Sequence, residues 1–72
     1  MSDDLGLHLT GTVTAFDEYV ALGTITDIDG RTWPFHCVSI ADGTRTIEVG
    51  ARVQFETAWR VKRVEAVDIR PA

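Results

Sequence analysis

Cysteine is scarce in this sequence, and its scarcity excludes two kinds of site. Cys37 is the only one among 72 residues, so no internal disulfide can form. The two histidines, His8 and His36, add too few ligands to complete a zinc site with it. We therefore expect no metal or other cofactor.

Long apolar runs are absent as well. No stretch approaches the roughly 18 apolar residues that a membrane helix needs. The acidic start, Met-Ser-Asp-Asp, lacks the basic and apolar regions of a signal peptide. We therefore expect a cytoplasmic protein with no membrane segment.

Groups suited to catalysis are few. Asp27, Asp29 and Asp42 fall in turn-forming stretches, where aspartate side chains stabilise the turn. No nucleophile has an obvious base with an orienting partner, and no glycine-rich phosphate loop occurs. The sequence indicates that the protein is not an enzyme.

The composition is that of a small globular domain, with 44% hydrophobic and 25% charged residues. A chain of this size buries only about 60% of its extended surface, so its core must be compact. The net charge of −4 disfavours a strong sequence-independent grip on phosphates. A local basic patch would still allow binding.

Apolar and polar residues alternate with period two, which predicts strands, and no stretch shows sustained helical spacing. We predict a flexible tail over residues 1–6 and one domain over residues 7–72. Gly11 marks a bend or bulge, Val61 breaks the register of the last strand, and Val67 and Ile69 point into the core. Strands are predicted at residues 7–16, 22–26, 31–37, 51–58 and 61–69, with one helical turn at 39–41.

The clearest hairpin lies at residues 22–37. Asp29-Gly30 favours a tight turn, because glycine accepts positive φ without a Cβ clash. Trp33 is expected to fill the core, with a hydrogen-bond partner for its indole at the rim. Alternation buries Ile25, Trp33 and Phe35 and turns Leu22, Thr24, Pro34 and His36 outward.

Five short strands joined by tight turns favour a closed antiparallel barrel, because closure removes exposed sheet edges. The predicted fold is all-β, a small five-stranded antiparallel barrel of the oligonucleotide-binding (OB) type.

Glycines, turn residues and core positions recur at a defined spacing from about Thr10 to Ile69. They are Gly11-Thr-Val13, Phe16, Gly23, Ile25-Thr26, Asp29-Gly30, Phe35-His36, Ile40, Glu48-Val-Gly50, Val53, Phe55-Glu56 and Ala66. In these residues and their spacing, the sequence resembles a bacterial cold-shock domain. This resemblance implies an OB barrel that binds single-stranded RNA or DNA.

Two strand motifs depart from that family, in which outward aromatic side chains stack on bases. Where the first typically reads Lys-Gly-Phe-Gly-Phe-Ile, residues 20–25 read Val-Ala-Leu-Gly-Thr-Ile. Where the second reads Val-Phe-Val-His-Phe, residues 33–37 read Trp-Pro-Phe-His-Cys. Ala15 stands where the family usually has a tryptophan before the phenylalanine of the first strand. Each base-to-aromatic stack contributes roughly 1–3 kcal/mol. Because most of the stacking aromatics are replaced in this sequence, we expect weak or altered binding of nucleic acid.

The candidate nucleic-acid-binding residues form two groups. His36 matches the family's stacking histidine, and Phe16 matches the phenylalanine at the edge of its binding face. Leu22 and Pro34 complete this first group. The second group lies in the last hairpin, where an indole could stack on a base and cations could hold phosphates; it comprises Trp59, Arg60, Lys62 and Arg63.

Each candidate has a structural alternative. His36 could be a surface histidine that accompanies the fold, and Trp59 could cover the open end of the barrel. Leu22 and Pro34 make the outer face apolar, which suits a protein partner as well as a nucleic acid. The alternative function is a protein-interaction module, with a partner on the Leu22, Pro34 and His36 face. The oligomeric state stays open.

Overall fold

The computed structural model describes residues 9–41, 43, 46–60 and 63–72, with only the backbone of Arg60. Five strands form one antiparallel sheet in the order β3-β2-β1-β4-β5. The strands are β1 (Leu9–Asp17), β2 (Leu22–Asp27), β3 (Thr32–His36), β4 (Arg52–Arg60) and β5 (Arg63–Pro71). The all-β prediction is confirmed.

The predicted strands are present, with ends shifted by a few residues. The predicted tail, the start of the first predicted strand and Val61 lie outside the described residues. The helical turn lies at Cys37–Ser39 rather than at 39–41. Nδ1 of His36 accepts a hydrogen bond from the Val38 amide at 3.3 Å, and this contact caps the turn.

The bulge in β1 lies after Gly11, between Val13 and Ala15, so the prediction of a bulge at Gly11 itself was wrong. Gly11 pairs regularly with Asp27 on one side and Val53 on the other. Glycine is needed there for a different reason. A Cβ at this position would lie 2.5 Å from the Thr26 carbonyl oxygen.

A second irregularity lies in β5, where Asp68 has a φ of 52°. The register shifts beside it, with Glu56 opposite Val67 and Gln54 opposite Arg70. The extra residue resets the alternation, so Ala66 and Ile69, three positions apart, are both fully buried. Val67 is therefore only half-buried, which corrects its predicted core position.

The sheet curls into a barrel-like shape, because its edge strands β3 and β5 come into contact. Residues 40 and 41, which follow β3 and the helical turn, pair with β5. Ile40 forms a parallel bridge with Ile69, and the Ala41 amide donates to the Ile69 carbonyl at 2.7 Å. The enclosed core comprises Val13, Ile25, Phe35, Cys37, Ile40, Val53, Phe55, Ala66 and Ile69.

The β2–β3 hairpin closes through residues 28–30, with Gly30 at a φ of 86°. The Gly30 amide donates to the Asp27 carbonyl at 3.0 Å, and the Asp27 amide donates to the Arg31 carbonyl at 2.8 Å. Trp33 is half-buried against the core, as expected. Its indole Nε1–H donates to Oδ2 of Asp27 at 2.8 Å, so the expected partner at the rim is present.

Candidate functional site

The outer face of β2 and β3 is set by their register. The ladder pairs Leu22 with His36 and Thr24 with Pro34. Paired residues on neighbouring strands project from the same side of a sheet. Leu22 is 40% exposed and His36 is exposed, whereas Thr24 and Pro34 are half-buried. The structure thus brings together three predicted site residues, Leu22, Pro34 and His36, which we call the outer patch.

The imidazole of His36 is oriented by its bond from the Val38 amide. Because Nδ1 accepts this bond, the neutral ring carries its proton on Nε2, which can donate to a ligand. Pro34 beside it has no amide proton, and a strand at the edge of the sheet tolerates that loss. The outer patch therefore offers one polar ring between two apolar side chains.

Hydroxyl groups occupy much of the remaining outer face of β1, β2 and β3. Thr14 and Thr26 share a hydrogen bond between their Oγ1 atoms at 3.0 Å. These three strands contain no lysine or arginine, and Asp17 and Asp27 are their only carboxylates. The face therefore supplies hydrogen-bonding groups without a positive charge. Its threonines are Thr10, Thr12, Thr14, Thr24, Thr26 and Thr32.

Phe16 lies on the opposite side of the sheet from the outer patch. Its ring stacks on that of buried Phe35, with centroids 5.9 Å apart and an interplanar angle of 6°. Strict alternation from Val13 would turn Phe16 outward, but the bulge in β1 reverses that phase. Gly23, paired with both phenylalanines, leaves room for the stack, because a Cβ there would lie 2.4 Å from the Phe35 ring. The expectation that Phe16 lies at the edge of the same face as Leu22 and Pro34 is therefore corrected.

The accessible part of Phe16 lines an open groove of about 640 Å³. Its lining also includes apolar Ile47 and Val49 and the acidic residues Glu18 and Glu48. Two carboxylates disfavour the approach of a phosphate backbone. Any contact of Phe16 with a nucleic acid would accordingly be through a base.

The second predicted group lies on the β4–β5 hairpin. Trp59 pairs with Val64 and is 61% exposed, so its ring covers little of the barrel. Nε of Arg63 forms an ion pair with Oε2 of Glu65 at 3.2 Å, which offsets one positive charge of the predicted cluster. Lys62 and the side chain of Arg60 lie outside the described residues. Neither Trp59 nor Arg63 is paired with a member of the outer patch.

The other arginine side chains differ in what they contact. Nη2 of Arg70 forms an ion pair with Oδ1 of Asp68 at 2.7 Å. The guanidinium of Arg31 lies 5.9 Å from the centroid of the Trp33 ring. Arg52 is exposed and has no ion pair within the described part of the chain. The sequence alone does not single out Arg52 as a site residue, because only the pairing of β4 with β1 shows what lies beside it.

Within the described ranges, no group of His, Cys, Asp and Glu side chains could hold a metal ion. No helix in these ranges has the length and apolar character needed to cross a membrane.

A family model described as the 'Cold-shock' DNA-binding domain matches residues 9–72, a range that includes all five strands. No curated protein matches the chain. The family match confirms the resemblance found in the sequence.

Proposed function

Since this chain belongs to the cold-shock DNA-binding domain family, a family of nucleic-acid-binding domains, we propose that it binds single-stranded RNA or DNA weakly through the outer patch. OB barrels of this kind bind single strands on a sheet face, where unstacked bases are accessible. The family is not one of enzymes, and we propose no catalytic activity for the chain.

The register of β2 and β3 is the observation that carries this proposal. It aligns Leu22 with His36 on the exposed side of the sheet, with Pro34 diagonal to Leu22. The oriented imidazole can stack on a base or donate to its edge, and the two apolar side chains can contact neighbouring bases. Aromatic stacking contributes roughly 1–3 kcal/mol per base, and here only one ring of the patch supplies it. We therefore expect affinity weaker than micromolar at physiological salt.

The β4–β5 hairpin is proposed as a second contact. Trp59 presents most of its indole to solvent, so it can stack on a base without any rearrangement of the core. Arg60, Lys62 and Arg63 are close to it in sequence and supply cations for phosphates.

The replacement His36→Ala tests the role of the outer patch. It should weaken the binding of a short oligothymidylate severalfold, because one stacking and donating group is lost. Ile28→Ala is the matched control, since Ile28 is 80% exposed but lies in the turn away from the ladder of the patch. Equal affinities of the His36→Ala and Ile28→Ala variants would contradict the proposed site.

A protein-interaction module is the second candidate function, and exposed apolar side chains favour it. Val20 is 57% exposed and Val38 is 64% exposed, and each lies two residues from an end of a strand that carries the patch. A protein partner would bury these side chains together with Leu22. Absence of oligonucleotide binding at every salt concentration would favour this second function over the first.

A further inference from the structure

One cross-strand row links a positive charge to the outer face. Arg52 of β4 is paired with Thr12 of β1, Thr12 with Thr26 of β2, and Thr26 with Thr32 of β3. Directly paired side chains lie on the same side of the sheet with Cβ atoms about 4.5–5.5 Å apart. Arg52 therefore lies at the end of a row of hydroxyl groups that crosses a face without lysine or arginine of its own.

The charge of Arg52 is available to a ligand. Its side chain is exposed and makes no ion pair with another described residue, whereas Arg63 and Arg70 each contact a carboxylate. A guanidinium presents a planar fork of N–H donors that matches the oxygens of a phosphate. An arginine already bound to a carboxylate must exchange that partner before it can bind phosphate, and Arg52 does not.

The opposite end of the face is negative. Asp17 of β1 is paired with Leu22, which is paired with His36, so a carboxylate ends the row that contains the outer patch. Oδ1 of Asp17 accepts a hydrogen bond from the Tyr19 amide at 2.9 Å, which holds the carboxylate in place. A phosphate backbone is thus attracted to the Arg52 row and repelled from the Asp17 row.

We propose that Arg52 and the hydroxyl of Thr12 form a phosphodiester-binding subsite at the edge of the outer face. This subsite orients a single strand so that its backbone passes Arg52 while its bases reach Leu22, Pro34 and His36. The proposal deepens the proposed nucleic-acid binding and rests on it.

A salt titration of three variants tests the subsite. Binding of a short oligothymidylate is measured between about 50 and 200 mM NaCl for the parent chain, Arg52→Ala, Arg52→Lys and Arg70→Ala. Arg70→Ala is the matched control, because it removes the same charge from an exposed arginine on the neighbouring strand. Loss of one phosphate contact should reduce the slope of log K against log salt by about 0.7 in Arg52→Ala.

The Arg52→Lys variant should keep most of the slope, and Arg70→Ala should change it less than Arg52→Ala does. Equal slopes in the parent chain and Arg52→Ala, or equal losses in Arg52→Ala and Arg70→Ala, would overturn the subsite alone. Failure of the parent chain itself to bind would overturn the proposed function and the subsite with it. Thermal unfolding of each variant establishes that it is folded, which we expect because both arginines are exposed.

Discussion

Asp27 and Trp33 are joined across the β2–β3 hairpin by a hydrogen bond of 2.8 Å from the indole Nε1 to Oδ2. The other carboxylate oxygen, Oδ1, accepts the amides of Asp29 at 2.9 Å and Arg31 at 3.0 Å. The carboxylate of Asp27 thus accepts hydrogen bonds from the backbone of the turn and also holds the indole of Trp33 in place. The bond from Trp33, followed by the two from the backbone, holds the pKa of Asp27 below its ordinary value, although burial acts in the opposite direction.

This pKa shift predicts how acid affects stability. Because the pKa of Asp27 is lower in the folded chain than in the unfolded chain, its charged form stabilises the fold above the ordinary aspartate pKa. That stabilisation is lost as the pH falls through the folded value. Urea unfolding between about pH 7 and pH 3 should therefore show a smaller loss of stability for Asp27→Asn than for the parent chain.

Asp29→Asn is the control for that measurement, because Asp29 lies exposed in the same turn and contributes its amide rather than its carboxylate. Asp27→Asn should also lower the melting temperature at neutral pH, whereas Asp29→Asn should not. Parallel pH profiles for the parent chain and Asp27→Asn would contradict this role of the carboxylate.

Backbone strain at Ala21 predicts a stabilising substitution. Ala21 has a φ of 62°, in the left-handed region that disfavours residues with a Cβ. Ala21→Gly should raise the free energy of unfolding by up to about 1 kcal/mol, as measured by urea denaturation. Ala58→Gly is the matched control in a regularly paired part of β4 and should lower it by about 0.5–1 kcal/mol. A destabilised Ala21→Gly variant would show that packing of the methyl group outweighs the strain.

Added aromatic rings on the outer face should strengthen binding. Leu22 and Thr24 point outward, and the neighbours of Thr24 in the ladder are Ala15 and Pro34, which leave space for a ring. Leu22→Phe and Thr24→Phe should each improve the binding free energy of oligothymidylate by roughly 1–3 kcal/mol. Ile28→Phe, in the exposed turn, adds the same ring away from the face and should change little. An unchanged affinity in both outward variants would exclude this face as the base-binding surface.

The cations of the β4–β5 hairpin should contribute more to the affinity for a single strand than His36 of the outer patch does. Combined replacement of Arg60, Lys62 and Arg63 by Ala should weaken binding more than His36→Ala and should flatten the salt dependence. The ion pair between Arg63 and Glu65 should reduce the contribution of Arg63 to this effect.

Trp59→Ala should weaken binding with little change in the salt slope, because it removes a stacking surface and no charge. Unaltered affinity in the triple variant would leave the hairpin without a role in binding, and the protein-interaction function would then gain support.

The strands and the β2–β3 hairpin could be predicted because their signals are local. Alternation with period two and the Asp-Gly turn depend only on neighbours in the chain. The bulges depend on which residues lie opposite each other in the β1–β2 and β4–β5 pairs, and alternation alone does not reveal that. Both reverse the alternation that follows, which is why Phe16 faces the core and why Ala66 and Ile69 are buried in place of Val67.

The residues of the candidate site also differ in whether the sequence could predict their positions. Leu22, Pro34 and His36 could be predicted to lie together, because they flank one tight hairpin whose register follows from its turn. Arg52 could not, because it is forty positions from Thr12 in the chain and its place depends on the β1–β4 register.

The most direct test of the central claim is a titration of the parent chain with a short single-stranded oligothymidylate, followed by tryptophan fluorescence at about 50 and 200 mM NaCl. Exposed Trp59 supplies a fluorophore on a proposed contact surface. We predict saturable binding that is weaker than micromolar at the higher salt concentration and tighter at the lower one. Nanomolar binding at the higher salt concentration, or no binding at either, would contradict the account.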